Sequence, residues 1–239
     1  MTWSIVAFDS ATGAFGAAVA TKAFASGSFV PFVRVGVGAV GTQSLTNRYL
    51  APVVLDGMER GLSPVLAIKS AVAGDEGREI RQIHAVDRQG RFAAWTGKHC
   101  VEWCGSVGEA SVSVAGNMLS NDRVAAATLA GFKKDPSLPL PERMMAALEN
   151  GEAAGGDRRG RQSAAMLMVT TEDFPELNIR VDDHGEPLPE LHRLLNVWRR
   201  ERAPFLGNSP SKTNPAGLHD IDKIEANWKA LGWDIRFRR

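Results

Sequence analysis

Two groups of residues in this 239-residue chain have the types and spacing to do chemistry. The first is Thr2, directly behind Met1 and opening the apolar run Trp3-Ser4-Ile5-Val6-Ala7-Phe8. Once Met1 is removed, Thr2 holds a hydroxyl and a free α-amine side by side. That amine has a pKa of about 8, against roughly 10.4 for a lysine, so it can serve as the base that activates its own hydroxyl. A retained Met1 keeps the amine away from the hydroxyl. The second group is Gly155-Gly156-Asp157-Arg158-Arg159-Gly160-Arg161-Gln162-Ser163. Consecutive glycines let the backbone come close to a ligand. Asp157 with Arg158, Arg159 and Arg161 supplies a carboxylate and planar forks suited to a substrate carboxylate or phosphate. The plainer account of this run is a salt-bridged loop that orders the strand after it.

Other combinations carry less chemistry. His99-Cys100 and Cys104 give thiols beside Trp103, but a tetrahedral zinc site needs four spaced ligands and no second cluster accompanies them. In Asp182-Asp183-His184-Gly185-Glu186 adjacent side chains point in different directions on an extended chain, and the glycine marks a turn, so no metal is expected there. Gly36 and Gly38 lack the helix-opening glycine of a dinucleotide fingerprint, so no nicotinamide or other cofactor is expected. For a developing oxyanion, the backbone N–H groups of a Gly41-Thr42-Gln43 turn and the Asn117 side chain are the candidates.

The elements that must position these residues follow from pattern. Residues 2–8 and 14–20 read as a β-hairpin about Asp9-Ser10-Ala11-Thr12-Gly13, and Val30 to Val40 as a further strand pair. Asn47 to Glu59 and Ser63 to Ala73 read as helices, the second with Ser63 as cap and Pro64 in its first turn. Strands return at Ile80 to Val86, Phe92 to Thr96 and Ser111 to Ala115, helices at 121–133 and 141–150, and strands at Ala164 to Thr170 and Leu177 to Val181. Leu188 to Arg200 is an amphipathic helix, and Ile221 to Leu231 a short helix in a tail rich in Pro, Asn, Ser and Lys. Hairpin turns outnumber strand-helix-strand alternation, so the order predicts an α+β fold with two sheets stacked between helical layers, over 1–202, followed by a tail over 203–239.

Composition narrows the partners. Lys plus Arg number 28 against 27 for Asp plus Glu, so no global field draws the chain to nucleic acid or to an anionic membrane surface. With no apolar stretch near the ~20 residues of a membrane span and no basic-then-apolar leader, the expected place is the cytoplasm. The apolar helices at 121–133 and 188–200 suggest a homo-oligomer.

Met1-Thr2-Trp3-Ser4-Ile5-Val6-Ala7, Gly36-Val37-Gly38-Ala39-Val40-Gly41-Thr42-Gln43, Gly116-Asn117-Met118-Leu119, Gly155 to Ala164 and Arg180-Val181-Asp182-Asp183-His184 together resemble the bacterial family known as domain of unknown function 1028. The resemblance runs from residue 1 to about 195. It implies a place among the N-terminal nucleophile (Ntn) hydrolases and their four-layer αββα sandwich. It implies no substrate. Proteasome-like members of that superfamily carry a basic residue about 32 positions after the nucleophile, where this chain has Arg34. They use a lysine there; an arginine stays charged and can stabilise an anion without relaying a proton. Lys22 is the alternative cation. The expectation is therefore hydrolysis of an amide or peptide bond in a small substrate, with Thr2, Arg34, Asn117 and Asp157 catalytic and Lys22, Thr42, Gln43, Arg158, Arg161, Gln162 and Ser163 lining the substrate. The competing expectation is a non-catalytic module of the same fold that binds cell wall or another partner through its tail.

Overall fold

A computed structural model of the chain describes residues 2–238. Two compact units divide it, Met1–Asn196 and Val197–Arg239. The first unit holds ten strands in two antiparallel sheets. Strands β1 (Thr2–Asp9), β2 (Ala14–Thr21), β7 (Gly105–Glu109), β8 (Val112–Asn117), β9 (Ser163–Val169) and β10 (Leu177–Val181) form one, in the order β10-β9-β2-β1-β8-β7. Strands β3 (Pro31–Arg34), β4 (Gly38–Ser44), β5 (Arg81–Asp87) and β6 (Phe92–Thr96) form the other, in sequence order. Helices α1 (Leu50–Glu59) and α2 (Pro64–Ala73) pack on the four-stranded sheet, and α3 (Arg123–Lys133) and α4 (Leu140–Ala153) on the six-stranded one. Helix α5 (Pro187–Glu201) follows β10. Among the described residues no helix is long and apolar enough to cross a membrane.

Local chemistry accounts for several boundaries. Ser63 caps α2 by accepting from Leu66 N, and Pro64 occupies the position where a missing N–H costs nothing. Helix α4 ends in a Schellman motif: Gly156 N donates to Gly151 O and Gly155 N to Glu152 O, with Gly155 at φ 124°. Asp87 makes the β5–β6 turn by accepting from Gln89 N, Arg91 N and Arg91 Nε. The strand β7 was not anticipated. It is glycine-containing and half-exposed, and its pairing with β8, Val107 opposite Val114, comes from a neighbour and not from its own pattern.

The faces of the two sheets are set by alternation. On β1, Trp3 and Ile5 lie under the helices, while Thr2, Ser4 and Val6 enter the space between the sheets. One half of that space is apolar, with Val6, Phe15, Ala17, Ala39, Val86 and Val169 packed together. The other half is polar. Ser4 Oγ donates to Gln43 Oε1 at 2.7 Å and stands 2.8 Å from His84 Nε2; Ser113 Oγ lies 3.1 Å from His84 Nδ1. Gln43 Nε2 donates to Gln82 Oε1 at 2.8 Å and to Ala115 O at 3.1 Å, and Asn117 Nδ2 donates to Gln82 Oε1 at 3.0 Å. Gln82 Nε2 donates to Gly116 O at 2.8 Å and Thr96 Oγ1 at 2.9 Å. The carbonyl acceptors fix the amide orientations of both glutamines. Ser4 has one proton, spent on Gln43, so His84 Nε2–H donates to Ser4.

Gly41 makes room for this arrangement. A Cβ there would overlap His84 Nε2 and come within 3.1 Å of Ser4 Oγ. Gly41→Ala is expected to destabilise the fold by about 1–3 kcal/mol, the range of overpacking in a filled core, read as a lower urea midpoint with unchanged slope. His84, fully enclosed and facing hydroxyls in place of a carboxylate, has its pKa pushed by burial from 6.5 down to about 3, against a smaller opposing effect from Ser113. Its folded-state pKa is depressed, so below pH ~6.5 the unfolded chain binds a proton the folded one refuses, and stability falls by up to ~1.4 kcal/mol per pH unit down to about pH 3. Urea melts of wild type and His84→Gln between pH 7 and 4.5 should show the wild type losing stability more steeply; parallel curves would refute the assignment.

Candidate functional site

Four stretches of chain converge at the end of the sheets where β1 begins. Thr2 lies opposite Asn117 on β8 and beside Thr21, the last residue of β2, since Trp3 pairs with Ala20. Thr2 Oγ1 donates to Thr21 Oγ1 at 3.3 Å, and Thr21 Oγ1 donates to Asp157 Oδ2 at 3.4 Å. A line of hydroxyls thus runs from Thr2 to a carboxylate. Thr2, Thr21 and Asp157 are all buried.

Asp157 is where the glycine run delivers it. The Schellman turn sends the chain back toward β8, and Asp157 forms an isolated bridge with Leu119. Its carboxylate accepts from Lys22 N at 2.8 Å, from Arg159 N at 2.9 Å and from Arg159 Nη2 at 3.1 Å. Backbone donors and a guanidinium together compensate the burial of the charge. The glycines approach protein atoms here and not a ligand: a Cβ on Gly155 would overlap Ser120 Oγ, and one on Gly156 would meet Glu152 Oε2 at 2.6 Å and the Trp3 ring at 3.2 Å.

Ser163 closes the same end. Its hydroxyl donates to Ala23 O at 2.6 Å and accepts from Ser26 N at 3.2 Å, with Ser26 Oγ 2.7 Å away. Ala25, Ser44 and Met118, none of them glycine, hold φ of 54°, 72° and 55° in the segments flanking this end, and Ser111 holds 72° in the β7–β8 turn at the opposite end. Such strained backbone persists where surrounding contacts over-determine it, and it concentrates at functional sites.

The residues singled out from sequence therefore separate. Thr2, Asn117, Asp157 and Ser163 come together. Lys22 joins through its backbone N–H, with its side chain exposed. Gln162 binds Thr21 O through its backbone and Asp183 Oδ1 through its side chain. Gln43 reaches Thr2 O at 3.4 Å but is a member of the inter-sheet network. Gly41-Thr42-Gln43 is not a turn offering free N–H groups. It is part of β4, where Thr42 N donates to Val30 O and Thr42 Oγ1 to Asn47 O.

Arg34 does not join. It pairs with Gly38, five residues and roughly 16 Å along β4 from Gln43, and its guanidinium binds Asp56 and Glu59 of α1 at 2.8 and 2.7 Å. Arg161 is clamped between Glu152 and Glu186, whose hydrogen bonds raise its pKa further, and Arg158 is exposed with its N–H on Met118 O. Asp182 pairs with Arg180, while His184 Nδ1 accepts from Glu186 N, so these side chains serve separate partners. Burial and the nearby Glu102 carboxylate push the Cys104 thiol up to about 11, leaving no thiolate at neutral pH. Thr21, Ser26 and His84 join these sites without standing out in the sequence; for His84 the available signal was the alternation of Gln82 and His84 with Ile83 and Ala85 in the strand 80–86.

The crystal structure of protein SPO2555 from Silicibacter pomeroyi is similar to this chain at a TM-score of 0.84 and 31% identity, over 90% of this chain and 94% of that one. Anbu (ancestral beta-subunit) from Yersinia bercovieri is similar at a TM-score of 0.39 and 13% identity, over 88% of this chain and 99% of that one, a likeness too slight to argue from. No curated protein matches. The model of the family described as "Family of unknown function (DUF1028)" matches residues 2–191, and protein SPO2555 is assigned to the same family. With four-fifths of its length so matched, the chain belongs to the DUF1028 family.

Proposed function

We propose that this protein hydrolyses an amide or peptide bond in a small substrate, with Thr2 as nucleophile once Met1 is removed. The supporting observation is the Thr2–Thr21–Asp157 line at the start of β1. We read the order of α1 and α2, the four-stranded sheet, the six-stranded sheet, and α3 and α4 as the four-layer αββα sandwich of the Ntn hydrolases.

In this reading the Thr2 α-amine takes the hydroxyl proton as Oγ1 attacks the substrate carbonyl carbon. A C–O bond forms and the carbonyl oxygen becomes an oxyanion. Asn117 Nδ2, which gives one proton to Gln82 Oε1, has a second for that oxygen. The ammonium then protonates the departing nitrogen as the C–N bond breaks, leaving an ester on Thr2. Water, deprotonated by the same amine, attacks the ester and releases the acid, and Oγ1 recovers its proton. Thr21 and Asp157 hold the Thr2 hydroxyl in place and polarise it. A general base so positioned typically contributes about 10²–10⁴-fold in rate.

Intact mass comes first: protein purified from its own cells should lack one methionine. On a panel of small amides, Thr2→Ala should lose all turnover with its melting temperature intact, and Thr21→Val should lower kcat about 10²-fold with little change in KM. A retained Met1, or turnover surviving in Thr2→Ala, would sink the proposal and leave a binding module of the same fold as the better account.

A further inference from the structure

A cleft of about 690 Å³ opens beside α1, walled by Phe32, Tyr49 and Pro52 on its apolar side and by Ser28, Asn47, Arg48 and Arg81 on its polar side. Its size falls in the range of small-molecule sites. It lies at the Thr2 end of the sheets. Asn47 O accepts from Thr42 Oγ1, and the next residue, Gln43, reaches Thr2 O. Ser28 ends the 26–28 turn, whose Ser26 is bonded to Ser163.

The two arginines of this cleft differ. Arg81 is committed: Nε donates to Asp75 Oδ2 at 3.0 Å and Nη1 to Leu45 O. That guanidinium and the Asn47 amide hold the Asp75 carboxyl below its usual value despite its burial, so Asp75 balances Arg81. Arg48 has no carboxylate partner among the described residues. Its guanidinium sits 5.5 Å from the Phe29 ring centroid, a contact that places the fork without neutralising it. Tyr49 is 82% exposed, a large ring presented to solvent at the rim. An uncompensated planar cation beside aromatic and proline walls fits a flat apolar group that ends in a carboxylate.

We propose that this cleft selects substrates carrying a carboxylate, with Arg48 binding it bidentately and Phe32, Tyr49 and Pro52 holding the adjoining apolar group. The substrate class is then a small amide with a free carboxylate, such as an N-acyl amino acid. This rests on the hydrolase reading for the word substrate, but the binding itself does not.

The test separates the two. Calorimetric titration of the Thr2→Ala protein with hippurate (N-benzoylglycine) and with its neutral amide removes turnover from the measurement. Hippurate should bind in the millimolar range, with affinity at least tenfold weaker for the neutral amide and for Arg48→Gln, and with marked weakening on added salt. Equal affinity for the acid and the amide, an unchanged value in Arg48→Gln, or no hippurate binding at 20-fold higher concentration than expected would each overturn the inference. Arg48-dependent binding in the Thr2→Ala protein, together with a wild-type protein lacking Met1 that turns over no amide, would retain the carboxylate cleft and remove the hydrolase.

Discussion

The structure depends on the polar half of the space between its two sheets. A protein interior normally fills such a layer with interlocking hydrocarbon. Here Ser4, Gln43, Gln82, His84, Ser113 and Asn117 occupy it, and each spans from one sheet to the other or to a backbone carbonyl. A typical satisfied hydrogen bond contributes only about 0.5–1.5 kcal/mol net, but a buried group left unpaired costs about 1–3 kcal/mol. The network is therefore a constraint more than a source of stability. Sliding one sheet on the other would orphan several groups at once, while the apolar half, with Val6, Phe15 and Val86, would lose far less by sliding.

That constraint reaches the candidate site directly. Gln43 accepts from Ser4, binds Gln82 and reaches the Thr2 carbonyl, and Gln82 in turn holds Asn117 opposite Thr2. The first residue of β1 is held by a lattice of bonds that begins in the core. On its other side, Asp157 gathers the end of β2 and the turn after α4 through donors from Thr21, Lys22 and Arg159, and the stretch after β8 through its backbone bridge to Leu119. The strained Ala25, Ser44 and Met118 lie in the segments so tied. A preorganised end to the two sheets results, and the cleft beside α1 opens at that same end.

Much of this was legible in the sequence. The hairpin of β1 and β2, the capped α2, the Asp87 turn and the paired helices follow from local pattern, because turn chemistry and apolar periodicity act within a few residues. Thr2 and the glycine run stood out by type and spacing. Strand β7 did not, since its place is set by β8. Gly41 looked like a turn glycine, and only its partner across the interface, His84, shows that it is a space left for an imidazole.

By itself the sequence determined which residues have chemistry to offer and where the hairpin of β1 and β2 and the paired helices run, both of which are properties of side-chain type and local period. Only tertiary structure decided which of those residues meet. Arg34 and Asp157 each carry a full charge, of opposite sign, yet strand register carries Arg34 to the far end of β4, onto Asp56 and Glu59, and a Schellman turn carries Asp157 to Thr21. Those encounters join residues 22 and 136 positions apart, and separations of that length are set by sheet order and packing, not by any local pattern.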